Sequence, residues 1–562
     1  MCKAKIGELA ERYWAFQREE FPLMAIQAGQ PGDADTLMRE APADHERRAA
    51  WAAVAVKELA SIDPRGLDTQ DRATHALLRR EFTALCDMVA CGAHLRPSLY
   101  PLGPDFMLIY WANITALANV PDARRYLARL ATVPAAMADA RASLLAGRDR
   151  GYRYPRLVID RAVAQVRGTL AVPVRSHPFA QPLLRVAGRS PALADLAEQG
   201  LALITDQLYP ALHAYANFLE RTLGAAARDS LACTDDPDGD AFYRYLVGQS
   251  TTLDMSPGDI HALGLAEVDR ISAQMLATAA AGGYPGDLPG WRESLQADPA
   301  QYAPTAAILR GEIEILSKRI DARIPEFFGR VPRATYGVQS IPEAIAEKMP
   351  PAYAQPNPAD GTAAGVHWVS SVPGKLPRYM HVPLALHEAW PGHLMHLALI
   401  QEMEHLPAFR RFGALRYTAC LEGWALYCER LGEDMGFYDA PAKLYGRLEM
   451  EMWRAVRLVV DTGLHHMGWT RDRALAFFGK HMAMPASTME AEVDRYIALP
   501  AQALAYQLGN LKFKDVRRRA EAALGDDFPI RDFHDALMAA GPVTLQVLDD
   551  LMADWTARRA AA

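Results

Sequence analysis

No segment limits the possible folds of this chain more than HEAWPGHLMH, which begins at His387. Two histidines and an adjacent glutamate are the side chains that a zinc helix of the HExxH type supplies. Here, however, His393 follows His387 by six residues, and six residues of a regular helix turn through about 240°, so the rings would point apart. Because a Pro-Gly pair interrupts or kinks a helix, we predict a bend at Pro391-Gly392 that brings His393 back to His387.

These side chains predict a zinc site. A catalytic zinc usually has three protein ligands and a water molecule. We predict His387 and His393 as ligands and Glu388 as the general base, since it follows the first ligand and can face that water. The third ligand should be a carboxylate from a later helix, and CLEGWALYCE offers Glu422 and Glu429 one heptad apart. We favour Glu422 and expect Glu429 to hydrogen-bond a ligand histidine, although either could bind the metal.

Two further segments contain polar residues that could support this site or bind substrate. Asp461 and His465 are four residues apart on one predicted helix, which is typical of a carboxylate–imidazole pair, either at the site or purely structural. His396 follows His393 by one helical turn and is a reserve ligand, although we favour a position at the surface or beside a ligand residue. His465 is also a candidate for a catalytic role.

The segment DRYIALPAQALAYQLG is mostly apolar but contains four polar side chains of interest, Arg495, Tyr496, Gln502 and Tyr506. Hydrolysis of an amide requires donors aimed at the developing oxyanion, and a tyrosine hydroxyl is such a donor. We predict Tyr506 first and Tyr496 second for this role, with Arg495 and Gln502 supporting the site or contacting substrate. The alternative for both tyrosines is a core position with a satisfied hydroxyl.

Composition excludes several classes of protein. The net charge is −7 and no basic block stands out, which argues against nucleic-acid binding. No run of about eighteen apolar residues indicates a membrane span. The N-terminus enters a charged helical pattern without an apolar signal core, so a cytoplasmic protein is predicted. The six cysteines are scattered and form no C-x-x-C, so we expect free thiols.

The hydrophobic pattern predicts a mostly α-helical protein with a small β-sheet near the active site. Apolar residues at three-four spacing predict helices at 45–95, 121–147, 156–168, 190–223, 256–280, 303–322, 441–467, 470–483 and 487–497. Ser256 and Ser487 are each followed by an acidic residue at capping-box spacing and predict helix starts. The strand candidates are 327–339 and 365–371.

Helix-breaking residues at 224–240 suggest two regions. These are an N-terminal helical region (1–235) and a zinc-binding catalytic region (236–562). The composition changes little across that segment. One continuous domain is therefore the simpler interpretation.

Taken together, HExxPGH, EGWALY, DTGxHxxGW, PxQAxxYxxG and the final FHDALMAAGPVTLQVL resemble the bacterial proteins grouped as domain of unknown function 885. Those proteins are regarded as zinc peptidases of the gluzincin kind, and the resemblance covers most of the chain. It implies a two-lobed helical fold with a central channel. It also implies that His387, His393 and Glu422 hold zinc, that Glu388 is the base and that Tyr506 stabilises the oxyanion.

The chain departs from the family pattern at two places. It has Pro500-Ala501-Gln502-Ala503 where PGQA is usual, and Leu394 and His396 where the family often has His and Gln. Neither departure removes a proposed ligand. Both are expected to alter the substrate pocket.

We therefore predict a zinc-dependent hydrolase that cleaves a peptide or related amide bond in a short peptide or an amide-containing small molecule. One alternative keeps the zinc site in a specialised amidase or a tailoring enzyme of secondary metabolism. Another is a catalytically silent helical protein whose zinc has a fourth protein ligand, His396 or Cys428. The sequence does not predict an oligomeric state.

Overall fold

The computed structural model describes residues 2–28, 35–284, 286–347, 349–359, 361–413 and 416–561. The prediction of a mostly α-helical protein with a small sheet is confirmed, and each predicted helical range coincides with one or more helices. Among the described helices, none is long and apolar enough to cross a membrane, as predicted.

The helices are α1 (Cys2–Glu20), α2 (Pro22–Gln27), α3 (Pro42–Ala60), α4 (Thr69–Ala90), α5 (Pro104–Ile114), α6 (Val120–Ala131), α7 (Val133–Asp149), α8 (Arg156–Leu170), α9 (Gln181–Ala187), α10 (Pro191–Leu203), α11 (Tyr209–Phe218), α12 (Gly239–Thr251), α13 (Pro257–Ala281), α14 (Leu288–Ala297), α15 (Ala306–Asp321), α16 (Ile324–Phe327), α17 (Glu343–Ala346), α18 (His381–Glu388), α19 (His393–Gln401), α20 (Ala408–Phe412), α21 (Thr418–Asp434), α22 (Pro441–His465), α23 (Arg471–His481), α24 (Ala486–Ala498), α25 (Ala505–Leu524), α26 (Ile530–Ala540) and α27 (Leu545–Ala560).

The two predicted helix starts have different outcomes. Ser256 caps α13, because its hydroxyl accepts a hydrogen bond from the backbone N–H of Asp259 at 3.1 Å. The prediction for Ser487 is wrong. Pro485 is the extended residue before α24, so Ser487 already lies inside the first turn.

The sheet has three strands, β1 (Tyr336–Ser340), β2 (Ala352–Gln355) and β3 (Gly365–Val369), in the order β1-β3-β2. β1 is parallel to β3 and β2 is antiparallel to it. The strand predicted at 365–371 is confirmed as β3. Of the strand predicted at 327–339, only the last residues, from Tyr336 onwards, form a strand. β2 lies in a proline-rich segment that we had no reason to predict as a strand. It is an edge strand, where nearby prolines are tolerated. β2 and β3 pack against α19, which places the sheet beside the site.

Two large apolar cores hold the helices together. One contains side chains from α5 to α11 together with α13, α14 and α22 to α24. The other contains side chains from α1, α3 and α4 together with α18 to α21 and α25 to α27. Each core combines residues from before and after position 235, so the two sequence regions share their packing. The division at 235 stays a prediction.

A contact between two glycines sets how closely α21 and α25 cross. A Cβ on Gly509 would lie 1.9 Å from the carbonyl oxygen of Ala419, and a Cβ on Gly423 would lie 2.6 Å from the Cα of Gly509. Only residues without a Cβ allow the two backbones to approach this closely. Glu422 precedes Gly423, and Tyr506 lies one turn before Gly509 on the same face of α25. The close crossing therefore brings these two side chains towards each other.

We expect Gly509→Ala to destabilise the protein by about 1–3 kcal/mol, because the added methyl group must push α25 away from α21. Gly168→Ala on α8 is the matched control, since a Cβ there has nothing within 4 Å. That control should be neutral or slightly stabilising, because alanine favours a helix over glycine. Urea unfolding of both variants measures the difference. Equal unfolding midpoints would contradict the tight crossing.

Candidate metal centre

The helix that carries the two histidines is interrupted between them, as predicted. α18 ends at Glu388 and α19 begins at His393. The rings of His387 and His393 lie 4.8 Å apart between centroids, at an interplanar angle of 89°. The six-residue spacing therefore does not separate the imidazoles, because the chain between them leaves the helical path.

Two contacts fix this turn. A Cβ on Gly392 would lie 1.9 Å from the carbonyl oxygen of His387, so the turn folds back directly onto the end of α18. The indole N–H of Trp424 donates a 2.9 Å hydrogen bond to the carbonyl oxygen of Pro391. The peptide bond before Pro391 is cis. Trp424 is fully buried on α21, so the turn is tied to the helix that carries the predicted third ligand.

The carboxylate of Glu422 lies between the two imidazoles. Its Oε2 is 3.4 Å from Nε2 of His387 and 3.6 Å from Nε2 of His393. Ligand atoms about 2.1 Å from a tetrahedral zinc ion are about 3.4 Å from one another, so these separations suit three ligands of one ion. Among the described residues, this buried oxygen has no hydrogen-bond partner. An orphaned carboxylate oxygen facing two imidazole nitrogens fits a cation between them.

The other ring nitrogen of His387 contacts Glu429. The distance from Nδ1 to Oε1 of Glu429 is 2.8 Å, and both side chains are buried. If Nδ1 carries the proton, it donates to Glu429 and leaves Nε2 with a lone pair towards Glu422 and His393. Burial lowers the pKa of His387, but Glu422 and Glu429 outweigh it and raise that pKa to about 9, so a zinc ion would have to displace the proton on Nε2 at pH 7. Of the two glutamates that the sequence left open, Glu422 lies near both Nε2 atoms and Glu429 contacts Nδ1 of His387.

A second carboxylate, that of Glu388, lies in the same cluster. One potential ligand atom from each of His387, Glu388 and His393 lies within 4.8 Å of the other two. The separations of Glu422 from the imidazoles, 3.4 and 3.6 Å, are close to the edge of a zinc tetrahedron, so we assign the ligand role to Glu422. Burial raises the pKa of Glu388 above its usual value, because this effect outweighs the lowering by the nearby charges of His387 and His393. A more basic carboxylate beside the ligands is suited to proton transfer.

We expect Glu429→Gln to weaken zinc binding by about 10–100-fold, because losing the carboxylate removes the partner that orients His387 and increases its basicity. Glu433→Gln is the matched control. Glu433 lies one turn further along α21 and pairs with Arg447. Titration with zinc against a competing chelator measures both affinities. Equal affinities in the two variants would show that Glu429 does not support His387.

Tyr506 lies at the site. The side chains predicted to act with it, those of Arg495, Tyr496 and Gln502, contact one another in a row that leads away from the site. Burial and the nearby charge of Glu422 raise the pKa of Tyr506, so its hydroxyl is a neutral donor at pH 7. The guanidinium carbon of Arg457 is 4.3 Å from the centroid of the Tyr506 ring. Arg495 donates a 2.6 Å hydrogen bond to the side-chain oxygen of Gln502. Tyr506 is therefore the tyrosine placed to act beside the metal ligands.

The structure does not support an oxyanion role for Tyr496. Its hydroxyl donates to Glu492 at 2.6 Å and accepts from Nε of Arg457 at 3.0 Å, and the side chain is fully buried. The hydroxyl proton is therefore already donated to Glu492 and is not available to an oxyanion. Tyr496 is a core tyrosine with a satisfied hydroxyl, the alternative considered from the sequence.

Asp461 and His465 do not contact each other as the predicted pair, because each has other partners. His465 accepts from the backbone N–H of Cys233 at 3.1 Å, and its Nε2 lies 2.9 Å from the carbonyl oxygen of Tyr496. With both nitrogens bonded to backbone, His465 links chain segments and is not placed for catalysis. Asp461 accepts from the hydroxyl of Tyr243 at 2.6 Å and from the backbone N–H of Ala501 at 3.0 Å. It therefore holds the loop that precedes Gln502.

His396 is fully buried rather than on the surface. Its ring lies 5.8 Å from that of Trp424, and its Nδ1 has no hydrogen-bond partner among the described residues. Burial lowers its pKa to about 3, so the ring is neutral. Its position one turn beyond His393 places it behind the ligand, as a packing neighbour of the turn.

Sequence reasoning missed three buried side chains near this centre. His367 on β3 is fully buried, and neither of its ring nitrogens has a partner among the described residues. Arg454 and Arg457 on α22 are each only 5% exposed. For the two arginines the signal in the sequence is the run RAVRLVV, where they interrupt an otherwise apolar stretch of α22. Buried charges of this kind are rare without a partner or a function.

Comparisons with known proteins agree with this fold. The model of the family described as bacterial protein of unknown function (DUF885) matches residues 22–552. The crystal structure of a candidate lipoprotein from Colwellia psychrerythraea is 25% identical with a TM-score of 0.93, covering 99% of this chain and 100% of that chain.

The structure of a candidate lipoprotein of unknown function from Shewanella oneidensis is 17% identical with a TM-score of 0.75, covering 98% of this chain and 99% of that chain. At that identity the likeness shows the fold alone. No curated protein matches the sequence. The descriptions as lipoproteins belong to those two proteins, and the cytoplasmic location predicted above stays a prediction.

Proposed function

The chain belongs to the bacterial DUF885 family of proteins of unknown function, and from this premise we propose that it is a zinc-dependent hydrolase of peptide or related amide bonds. The observation that carries the proposal is the orphaned Oε2 of Glu422, which lies 3.4 and 3.6 Å from the two imidazoles, with Glu388 beside them. Two imidazoles and one carboxylate are a ligand set of catalytic zinc in peptidases. A gluzincin-like peptidase is therefore the function that this geometry supports best.

Each group of the site has a separate role in the proposed reaction. Held by His387, His393 and Glu422, zinc would polarise the scissile carbonyl and make a water molecule more acidic. Glu388 takes a proton from the attacking water and passes it to the leaving amine. The neutral hydroxyl of Tyr506 donates a hydrogen bond to the oxyanion.

The arrangement does not favour a zinc site that only stabilises the fold. Such a site would have a fourth protein ligand, for which His396 and Cys428 are the residues that the sequence suggests. Among the described residues, the compact group of possible ligand atoms consists of His387, Glu388 and His393 and includes neither of them. Glu422 joins this group because its Oε2 lies 3.4 and 3.6 Å from the two imidazoles, whereas no such contact is seen for His396 or Cys428 in the described part of the chain. Burial also raises the pKa of Cys428 well above its usual value, which disfavours the thiolate that binds metal. A fourth position open to water or substrate agrees with a hydrolase.

The test is hydrolysis of a mixed library of short peptides, followed by mass spectrometry. Three samples are compared: zinc-loaded protein, protein stripped by a chelator, and stripped protein with zinc restored. We expect cleavage products in the first and third samples only. Identical product profiles in all three would overturn the proposal.

A further inference from the structure

Two buried arginines beside the metal centre have N–H groups without a hydrogen-bond partner in the part of the chain that the structure describes. Arg457 donates through Nε to Tyr496 and through Nη2 to Glu492 at 3.1 Å, while its Nη1 has no partner among the described residues. Arg454 donates through Nη1 to the carbonyl oxygen of Met450 at 3.2 Å, and its Nε is likewise unpartnered. A buried donor left without an acceptor is costly, so such a group beside a metal centre is a candidate to bind a ligand.

Both guanidinium groups lie close to the groups proposed to act on substrate. Arg457 stacks on the ring of Tyr506, with its guanidinium carbon 4.3 Å from the ring centroid. Nη2 of Arg454 is 3.8 Å from Oε1 of Glu429, the carboxylate oxygen that contacts His387. The two arginines therefore border the metal centre on the side where Tyr506 lies.

Few direct hydrogen bonds join these arginines to carboxylates. Glu492 is shared by Arg457 and Arg495, which donate to it at 3.1 and 2.9 Å. Glu429, whose Oε1 is 3.8 Å from Nη2 of Arg454, is already bonded to His387. Among the described residues, hydrogen bonds from the three guanidinium groups thus reach one carboxylate, that of Glu492. Arginine recognises a carboxylate through paired N–H donors, and burial strengthens that interaction.

We propose that Arg457, assisted by Arg454, binds a carboxylate of the substrate, and that this group is the free C-terminal carboxylate of a short peptide. The inference rests on the proposed hydrolase function and adds a substrate class to it. A carboxylate held beside Tyr506 and the zinc ligands places the chain terminus close to the scissile bond. The enzyme then removes residues from the C-terminal end of peptides and does not cut within long chains.

The first test compares peptides of identical sequence that end in a free carboxylate or in a carboxamide. We expect wild-type kcat/KM to be about 100-fold higher for the acid, because the amide leaves a buried N–H donor of Arg457 without a charged acceptor. Arg457→Lys should reduce kcat/KM for the acid by at least about 10-fold more than for the amide, since lysine lacks the planar fork. A peptide amide with an acidic side chain at its last residue shows whether that carboxylate can substitute for the terminus.

The controls separate recognition from folding. Arg410→Lys changes an arginine that is also buried and also has an unpartnered Nε among the described residues, but that bonds Gln70, Thr74 and the carbonyl oxygen of Ala540. It should not alter the preference for acid over amide. Zinc content and the melting temperature of each variant show whether the site is intact. Equal wild-type kcat/KM for acid and amide, or equal losses for both in Arg457→Lys, overturns the inference.

A binding measurement distinguishes this inference from the hydrolase proposal. The same acid and amide peptides are titrated into Glu388→Gln by calorimetry, where cleavage does not interfere. We expect the acid to bind at least about 10-fold more tightly. Tighter binding of the acid with no hydrolysis by the wild type would retain the carboxylate site and remove the hydrolase. Equal binding would overturn the carboxylate site itself.

Discussion

Glu388→Gln is expected to lower peptide hydrolysis by about 10²–10⁴-fold while the protein keeps its zinc. The amide has nearly the same size as the carboxylate but cannot accept the proton of the attacking water. Since Glu388 is not assigned as a ligand, His387, His393 and Glu422 should still hold the metal. Mass spectrometry of peptide products and elemental analysis of zinc measure the two effects separately.

Glu404→Gln is the control for this substitution, because Glu404 is an exposed residue in the loop after α19. It should leave both hydrolysis and zinc content at the wild-type level. Full activity in Glu388→Gln would remove Glu388 as the base. Loss of zinc in that variant would instead make Glu388 a ligand.

Gly392→Ala is expected to remove most of the bound zinc and to lower the melting temperature. The new Cβ would lie 1.9 Å from the carbonyl oxygen of His387 and 2.4 Å from that of Leu386, so the turn must open. Opening moves His393 away from His387 and breaks the ligand set. Overpacking of this kind costs about 1–3 kcal/mol of stability in addition.

The control is Gly374→Ala in the loop before α18, where a Cβ has nothing within 4 Å. Zinc per chain and thermal unfolding are measured for both variants, with and without added zinc. We expect the control to match the wild type. A Gly392→Ala protein with a full complement of zinc would show that the turn is not what positions His393.

Part of the candidate metal centre was predictable because chemistry and spacing both constrain it. His387, Glu388 and His393 follow from one motif, whereas spacing alone leaves Glu422 and Glu429 as alternatives. The bend at Pro391-Gly392 also followed, since a regular helix could not bring His387 and His393 together. The role of Gly392 was foreseen only as a helix breaker, whereas its contact with the His387 carbonyl group depends on three-dimensional packing.

The supporting residues could not be assigned in this way, because spacing on one helix does not determine the partners on another. Asp461 and His465 have the spacing of a pair, yet they bond Tyr243 and the backbone of Cys233. Tyr496 and Tyr506 look equivalent in the sequence, but packing satisfies the hydroxyl of the first and brings the second beside Glu422. Such outcomes depend on helix crossings that local patterns do not encode.

The zinc centre is tested most directly by anomalous diffraction from crystals of the zinc-loaded protein, measured on both sides of the zinc absorption edge. We predict one zinc peak at about 2.0–2.2 Å from Nε2 of His387, Nε2 of His393 and a carboxylate oxygen of Glu422. The absence of zinc at this place, or zinc bonded to Glu388 in place of Glu422, would contradict the proposed centre.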